Sequence, residues 1–174
     1  MWFIENQLVY HPLTAAEAWE PAPVATIQDL ELMSPAGNRI HAWWLPNKAD
    51  KPALLFCPGN GGNLSGRGPS MVRIAEKLDT SVLIFDYPGY GKSEGKPNEA
   101  ACYDAAETAI RWLNSEKQIP SERVILYGES LGGAVSIALA AKRPQDVRIQ
   151  RCVSSVVCRS GHWSSKIRSQ ASQT

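Results

Sequence analysis

Ser130 stands in Gly128-Glu129-Ser130-Leu131-Gly132-Gly133, directly after the apolar run Val124-Ile125-Leu126-Tyr127. A serine between the end of a strand and the start of a helix is placed to act as a nucleophile. The turn, a nucleophile elbow, has to be sharp: Ser130 is driven towards positive φ, and the residues two before and two after it must be small, as Gly128 and Gly132 are. The first amides of the following helix then point at the same spot, where negative charge develops on a carbonyl oxygen under attack. The chemistry this predicts is acyl transfer through an ester on Ser130.

A second glycine-rich stretch, Pro58-Gly59-Asn60-Gly61-Gly62-Asn63, follows the apolar run Ala53-Leu54-Leu55-Phe56-Cys57. Two functions compete for it. In a dinucleotide-binding fold the loop reads Gly-x-Gly-x-x-Gly, with an acid at the end of the next strand to hold the ribose, and Asp86 stands at such a place. The third glycine is missing, because Leu64 occupies that position, and no Lys-Ser or Lys-Thr pair follows to grip a phosphate. The favoured alternative makes the loop one wall of an oxyanion hole.

A serine also needs a base, and the base needs a carboxylate to orient it. After Ser130 the chain offers one acid, Asp146, and one histidine, His162. His162 lies in a stretch, residues 154–174, with seven serines and no acid, and reads as an exposed histidine rather than a base. His41 reads as a half-buried strand histidine.

The elements around these residues follow from pattern. Residues 1–24 hold too many prolines for a long element and read as an extended lead-in, with a short helical turn at Ala15–Trp19. Residues 27–34 and 39–45 form a hairpin across Pro35-Ala36-Gly37-Asn38. Residues 53–57 and 82–85 are strands covered on both faces. Met71, Ile74, Ala75 and Leu78 mark one helix; Asn98 caps another, facing inward at Tyr103, Ala106, Ile110 and Leu113. The elbow helix continues its apolar face at Ala134, Ala138 and Ala141 and stops at Arg143-Pro144. Strands alternating with helices predict an α/β class with a parallel sheet.

With 174 residues, 44% of them hydrophobic, the chain is long enough for one domain with a real core. The net charge is +1, but residues 147–174 hold 5 Lys+Arg and no acid, leaving 13 Lys+Arg and 17 Asp+Glu for residues 1–146. Body and tail therefore differ, and the division expected is 1–146 as the N-terminal part of the domain and 147–174 as a partial strand with an atypical Ser/Arg-rich tail. The four cysteines, Cys57, Cys102, Cys152 and Cys158, have no metal-binding spacing. No run is long enough to span a membrane, and Met1–Ile4 lacks the form of a signal peptide. A cytoplasmic location is the expectation, with no cofactor, no metal and no nucleic-acid partner.

Four motifs in order, Leu8-Val9-Tyr10-His11-Pro12, Gly59–Asn63, Phe85-Asp86-Tyr87-Pro88-Gly89-Tyr90-Gly91-Lys92-Ser93-Glu94-Gly95 and Gly128–Gly133, resemble the α/β-hydrolase superfamily. More narrowly they look like its small serine hydrolases, which include depalmitoylating and lysophospholipid-cleaving enzymes. The resemblance implies Ser130 as nucleophile, the amides of Asn60 and Leu131 as the oxyanion hole, and a structural role for Asp86 and the 89–95 loop. It implies a small-molecule or lipid-type acyl substrate, ester or thioester, and membrane association only in a full-length parent. Members usually carry His-Gly where this chain has Pro58-Gly59.

The superfamily acid and histidine follow later strands, so Asp146 and His162 both come too soon. A C-terminally truncated or out-of-frame end is the expectation, with inactivity as this fragment and an elbow strand left near an unpaired, aggregation-prone edge. The alternatives are a genuine basic tail that binds something acidic and, for function, a non-catalytic binding module of the same fold.

Overall fold

The computed structural model describes residues 9–48 and 51–142 in full, together with the backbone of two further strands at 148–152 and 155–159. The elements are β1 (His11–Pro12), β2 (Gln28–Met33), β3 (Arg39–Leu45), β4 (Ala53–Cys57), β5 (Gly61–Gly62), α1 (Gly68–Leu78), β6 (Ser81–Phe85), α2 (Glu99–Ser115), β7 (Val124–Glu129), α3 (Leu131–Lys142), β8 (Arg148–Cys152) and β9 (Ser155–Arg159). Seven strands form one sheet in the order β2-β3-β6-β4-β7-β9-β8.

The centre of that sheet is parallel, β6 beside β4 beside β7, as expected from strands separated by helices. The β2–β3 hairpin joins it antiparallel through β3 and β6. On the other side β9 pairs β7 antiparallel, with β8 folded back on β9. This corrects the expectation that the elbow strand lies at an unpaired edge.

Alternation along the strands sends side chains to two cores. Leu54 and Phe56 of β4 pack with Trp43, Val82, Ile84, Met71 and Ala75 under α1. Leu55 and Cys57 pack on the opposite face with Trp44, Leu83 and Phe85 beneath α2 and α3. Each fully buried side chain of this kind contributes about 1.5–3 kcal/mol. Cys57 and Cys102 are buried and form no disulfide.

Asn98 caps α2 as its sequence predicts, its side-chain oxygen accepting from the Ala101 amide at 2.9 Å. Two faces differ from expectation. Leu78 is exposed at the end of α1. In α3 the buried positions are Gly132, Gly133, Val135, Ser136, Leu139 and Ala140, while Ala134 and Ala141 face outward. The predicted stop at Arg143-Pro144 lies outside the described residues.

The lead-in is more than an extended strap. β1 pairs in parallel with β5 inside the glycine loop, and Thr14 bridges Gly91. Buried Asn63 locks the two together: its amide donates to the carbonyls of Leu13 and Ala18 at 3.1 and 2.7 Å, and its oxygen accepts from the amide and hydroxyl of Ser65.

Candidate active site

β7 ends at Glu129, α3 begins at Leu131, and Ser130 between them has φ +48° with an exposed side chain. A non-glycine residue there costs about 1–2 kcal/mol in backbone strain, so the surroundings have to enforce it. They do so through close approach. A Cβ on Gly128 would stand 2.3 Å from the Gly132 carbonyl oxygen, and one on Gly132 would stand 1.9 Å from that of Cys57. The Gly133 amide closes the turn on the Ser130 carbonyl at 2.8 Å.

The β4 register carries the glycine loop to the same place. Cys57 pairs with Gly128, so Asn60 and Ser130 emerge three and two residues beyond one rung of adjacent parallel strands. Gly59 lies so near the elbow that an added Cβ would touch the Glu129 carbonyl oxygen at 3.4 Å. The three residues expected at the site, Asn60, Ser130 and Leu131, thus leave neighbouring elements at the same end of the sheet.

Side chains fix the loop's carbonyls. The Tyr87 hydroxyl donates to the Pro58 carbonyl at 3.0 Å, and burial pushes that phenol well above the usual tyrosine range, so it stays a donor. Arg67, from the 3-10 turn Ser65–Arg67, donates to the carbonyls of Gly59 (3.3 Å), Gly61 (2.8 Å) and Asn63 (2.9 Å), and its Nε donates to Glu129 Oε2 at 3.1 Å. The Asn60 side-chain oxygen accepts from the His11 amide at 3.2 Å. Sequence reading missed Arg67 and Tyr87; the signal available for Arg67 was a lone arginine between a glycine loop and the helix that follows it.

Asp86 and His41 belong to the frame of the site. Asp86 is buried; its Oδ1 accepts from the Leu64 amide at 2.7 Å, whereas Oδ2 has no hydrogen-bond partner. Burial raises its carboxyl above the ordinary aspartate range. His41 is 3% exposed, more buried than expected of a half-buried strand histidine. Its Nε2 meets Asp29 Oδ1, and its Nδ1 lies 3.8 Å from Asp86 Oδ2, too far for a hydrogen bond. Lys92 and the Trp43 indole also donate to Asp29. β6 and β4 separate β3 from β7, a span of about 14 Å at normal strand spacing, so His41 is not within reach of Ser130.

A cavity of about 430 Å³ opens beside the elbow, lined by Trp19, Asn63, Arg67 and Glu129 among others. Ser130 itself is not part of its lining, which makes the cavity a neighbour of the exposed hydroxyl rather than its container. Among the described residues no group of three His, Cys, Asp or Glu side chains is arranged to hold a metal, and no helix is long and apolar enough to cross a membrane. Asp146 and His162 lie outside the described residues.

The fold and the elbow define a class. Residues 52–173 match the family described as alpha/beta hydrolase fold, and the chain belongs to that superfamily. Among its relatives are an uncharacterized protein of Mycobacterium tuberculosis, 32% identical over 87% of this chain and 54% of the relative, and an alpha/beta hydrolase domain-containing protein of Arabidopsis thaliana, 35% identical over 82% of this chain and 49% of the relative. An esterase of Pyrococcus furiosus superposes with a TM-score of 0.63 at 20% identity, over 79% of this chain and 53% of that one. That likeness concerns the fold. The chain spans about half the length of the curated relatives it matches.

Proposed function

We propose that this chain carries the nucleophile half of a serine hydrolase acting on small-molecule or lipid-type carboxylic esters or thioesters. Ser130 Oγ attacks the carbonyl carbon and the C=O electron pair moves to oxygen. The amides of Asn60 and Leu131 receive that oxyanion, and the tetrahedral intermediate collapses to an acyl-Ser130 with loss of the alcohol or thiol. Water then releases the acid by the same path. The observation that carries this reading is φ +48° at an exposed Ser130 whose two flanking glycines leave no room for a Cβ. That a neighbour in fold is an esterase agrees with ester chemistry.

The proton must leave Ser130 for a base. Neither histidine among the described residues, His11 on β1 or His41 on β3, belongs to the elbow or to the strand after it, and in this superfamily acid and histidine follow the serine in chain order. On this reading the oxyanion hole and binding alone leave the 174-residue chain at most about a thousandfold to ten-thousandfold over water. The same observation favours a second reading, a non-catalytic module of this fold.

Hydrolysis of a short p-nitrophenyl ester by the purified chain, beside Ser130→Ala and His162→Ala, tests the proposal. Weak, Ser130-dependent release that His162→Ala leaves unchanged is the expected result. Release equal in wild type and Ser130→Ala favours the binding module, and robust turnover lost in both variants makes His162 the base.

A further inference from the structure

Arg67 is not one of the groups assigned to the reaction, yet four of its acceptors belong to the loop and to the residue before Ser130. Its guanidinium takes the carbonyls of Gly59, Gly61 and Asn63, and Glu129 holds it in place. No peptide bond among the described residues is cis. In a trans peptide unit the carbonyl and the amide of the next residue point in opposite directions within one plane. Fixing the Gly59 carbonyl on Arg67 therefore fixes where the Asn60 amide points, which is away from the guanidinium. The same holds for the plane after Asn63: its carbonyl lies on Arg67, and the Leu64 amide is aimed at Asp86 Oδ1, 2.7 Å away.

We infer that Arg67 is the positioning residue of the oxyanion hole: by holding the Gly59, Gly61 and Asn63 carbonyls on one guanidinium tethered to Glu129, it aims the Asn60 amide at the oxygen of the carbonyl that Ser130 attacks. The inference rests on Ser130 being the nucleophile. Glycine-rich backbone has no side chains of its own to hold it, and three carbonyls facing one way need a planar group with several donors. A guanidinium offers five N–H groups in a fixed fork, whereas a lysine offers a point charge. Tyr87 does the same for the preceding plane through the Pro58 carbonyl. The loop thereby has its direction set from both sides although Pro58 itself has no amide to give. Arg67 is charge-balanced by Glu129 and only 17% exposed at its side chain, as suits a fixed frame rather than a group that meets substrate.

The test is the rate at which a fluorophosphonate modifies Ser130 in the 174-residue chain, followed by intact mass, with the limiting rate and the probe affinity measured separately. Arg67→Met and Arg67→Ala are expected to lower the limiting rate about tenfold to hundredfold, within the effect of losing one oxyanion donor, and to leave probe affinity within about twofold. Millimolar guanidinium is expected to restore part of the rate in Arg67→Ala, which a merely structural defect would not permit. Wild-type rates in folded Arg67 variants overturn the inference. Should those variants not fold, Glu129→Gln, which keeps shape and removes the tether's charge, takes their place: a slower limiting rate supports the inference and an unchanged one overturns it. No modification of Ser130 in the wild type at all overturns the nucleophile assignment, and this inference with it.

Discussion

Ser130 keeps its strained backbone because α3 leaves β7 in direct contact with the β4 carbonyls, and the residues at 128 and 132 are what allow that contact. A Cβ at 132 would meet backbone, the Cys57 oxygen at 1.9 Å and the Pro58 oxygen at 2.6 Å, and not a side chain able to swing aside. Gly132→Ala is therefore expected to cost about 3 kcal/mol, at the upper end for overpacking, and to lower Tm by roughly 6–12 °C. A Cβ on Gly61 would meet nothing within 4 Å, so Gly61→Ala is expected to stay within about 0.5 kcal/mol. Thermal melts of the two variants check this, and equal losses would contradict it. The need for glycine at 128 and 132 was readable from sequence because it is local to one turn. The role of Arg67 was not, because its partner Glu129 lies 62 residues away and only the β4–β7 register brings the two together.

At the scale of elements, the end of β6 ties the frame together. Asp86 reaches the glycine loop through the Leu64 amide, and the Ser93 hydroxyl, which donates to the Asp86 carbonyl, accepts from the His41 amide of β3. The carboxyl itself is a cost at neutral pH. Burial raises its folded pKa above the ordinary 3.8, so the stability linked to it is complete below that value and is lost as pH rises through the higher folded one. Asp86→Asn removes this dependence, and its amide oxygen can keep the Leu64 hydrogen bond. Relative to wild type, the variant is expected to gain stability as pH rises from about 4 upward, read from urea midpoints across that range. A difference that does not change with pH would show that the buried carboxyl is not the raised group.

Most elements were legible because their patterns are strong: the continuous apolar runs of β4 and β6, and α2 with its helical spacing and Asn98 cap. The lead-in was not, since two-residue parallel pairing between His11–Pro12 and Gly61–Gly62 leaves no period to read. The inward face of α3 was misassigned for a related reason. Ala134, Ile137 and Ala141 are as apolar as the buried Val135, Leu139 and Ala140, so the pattern carries no phase.

For the whole molecule, the sequence order of strands suggested a parallel centre but not the placement of β4 between β6 and β7, or of β9 beside β7. Sheet order depends on which long-range pairs bury most surface, and no local residue encodes it. That order is what brings the glycine loop and the elbow to one place, and the central claim is that this place makes Ser130 reactive towards acyl carbonyls. The most direct measurement is to expose the 174-residue chain to an excess of a short p-nitrophenyl ester, trap it by acid at intervals, and map the added acyl group by peptide mass. The account predicts slow accumulation of a single acyl group on Ser130, long-lived because no histidine among the described residues is placed to serve deacylation, and absent from Ser130→Ala. Acylation spread over lysines at the same rate in both proteins, with Ser130 unmodified, would contradict it.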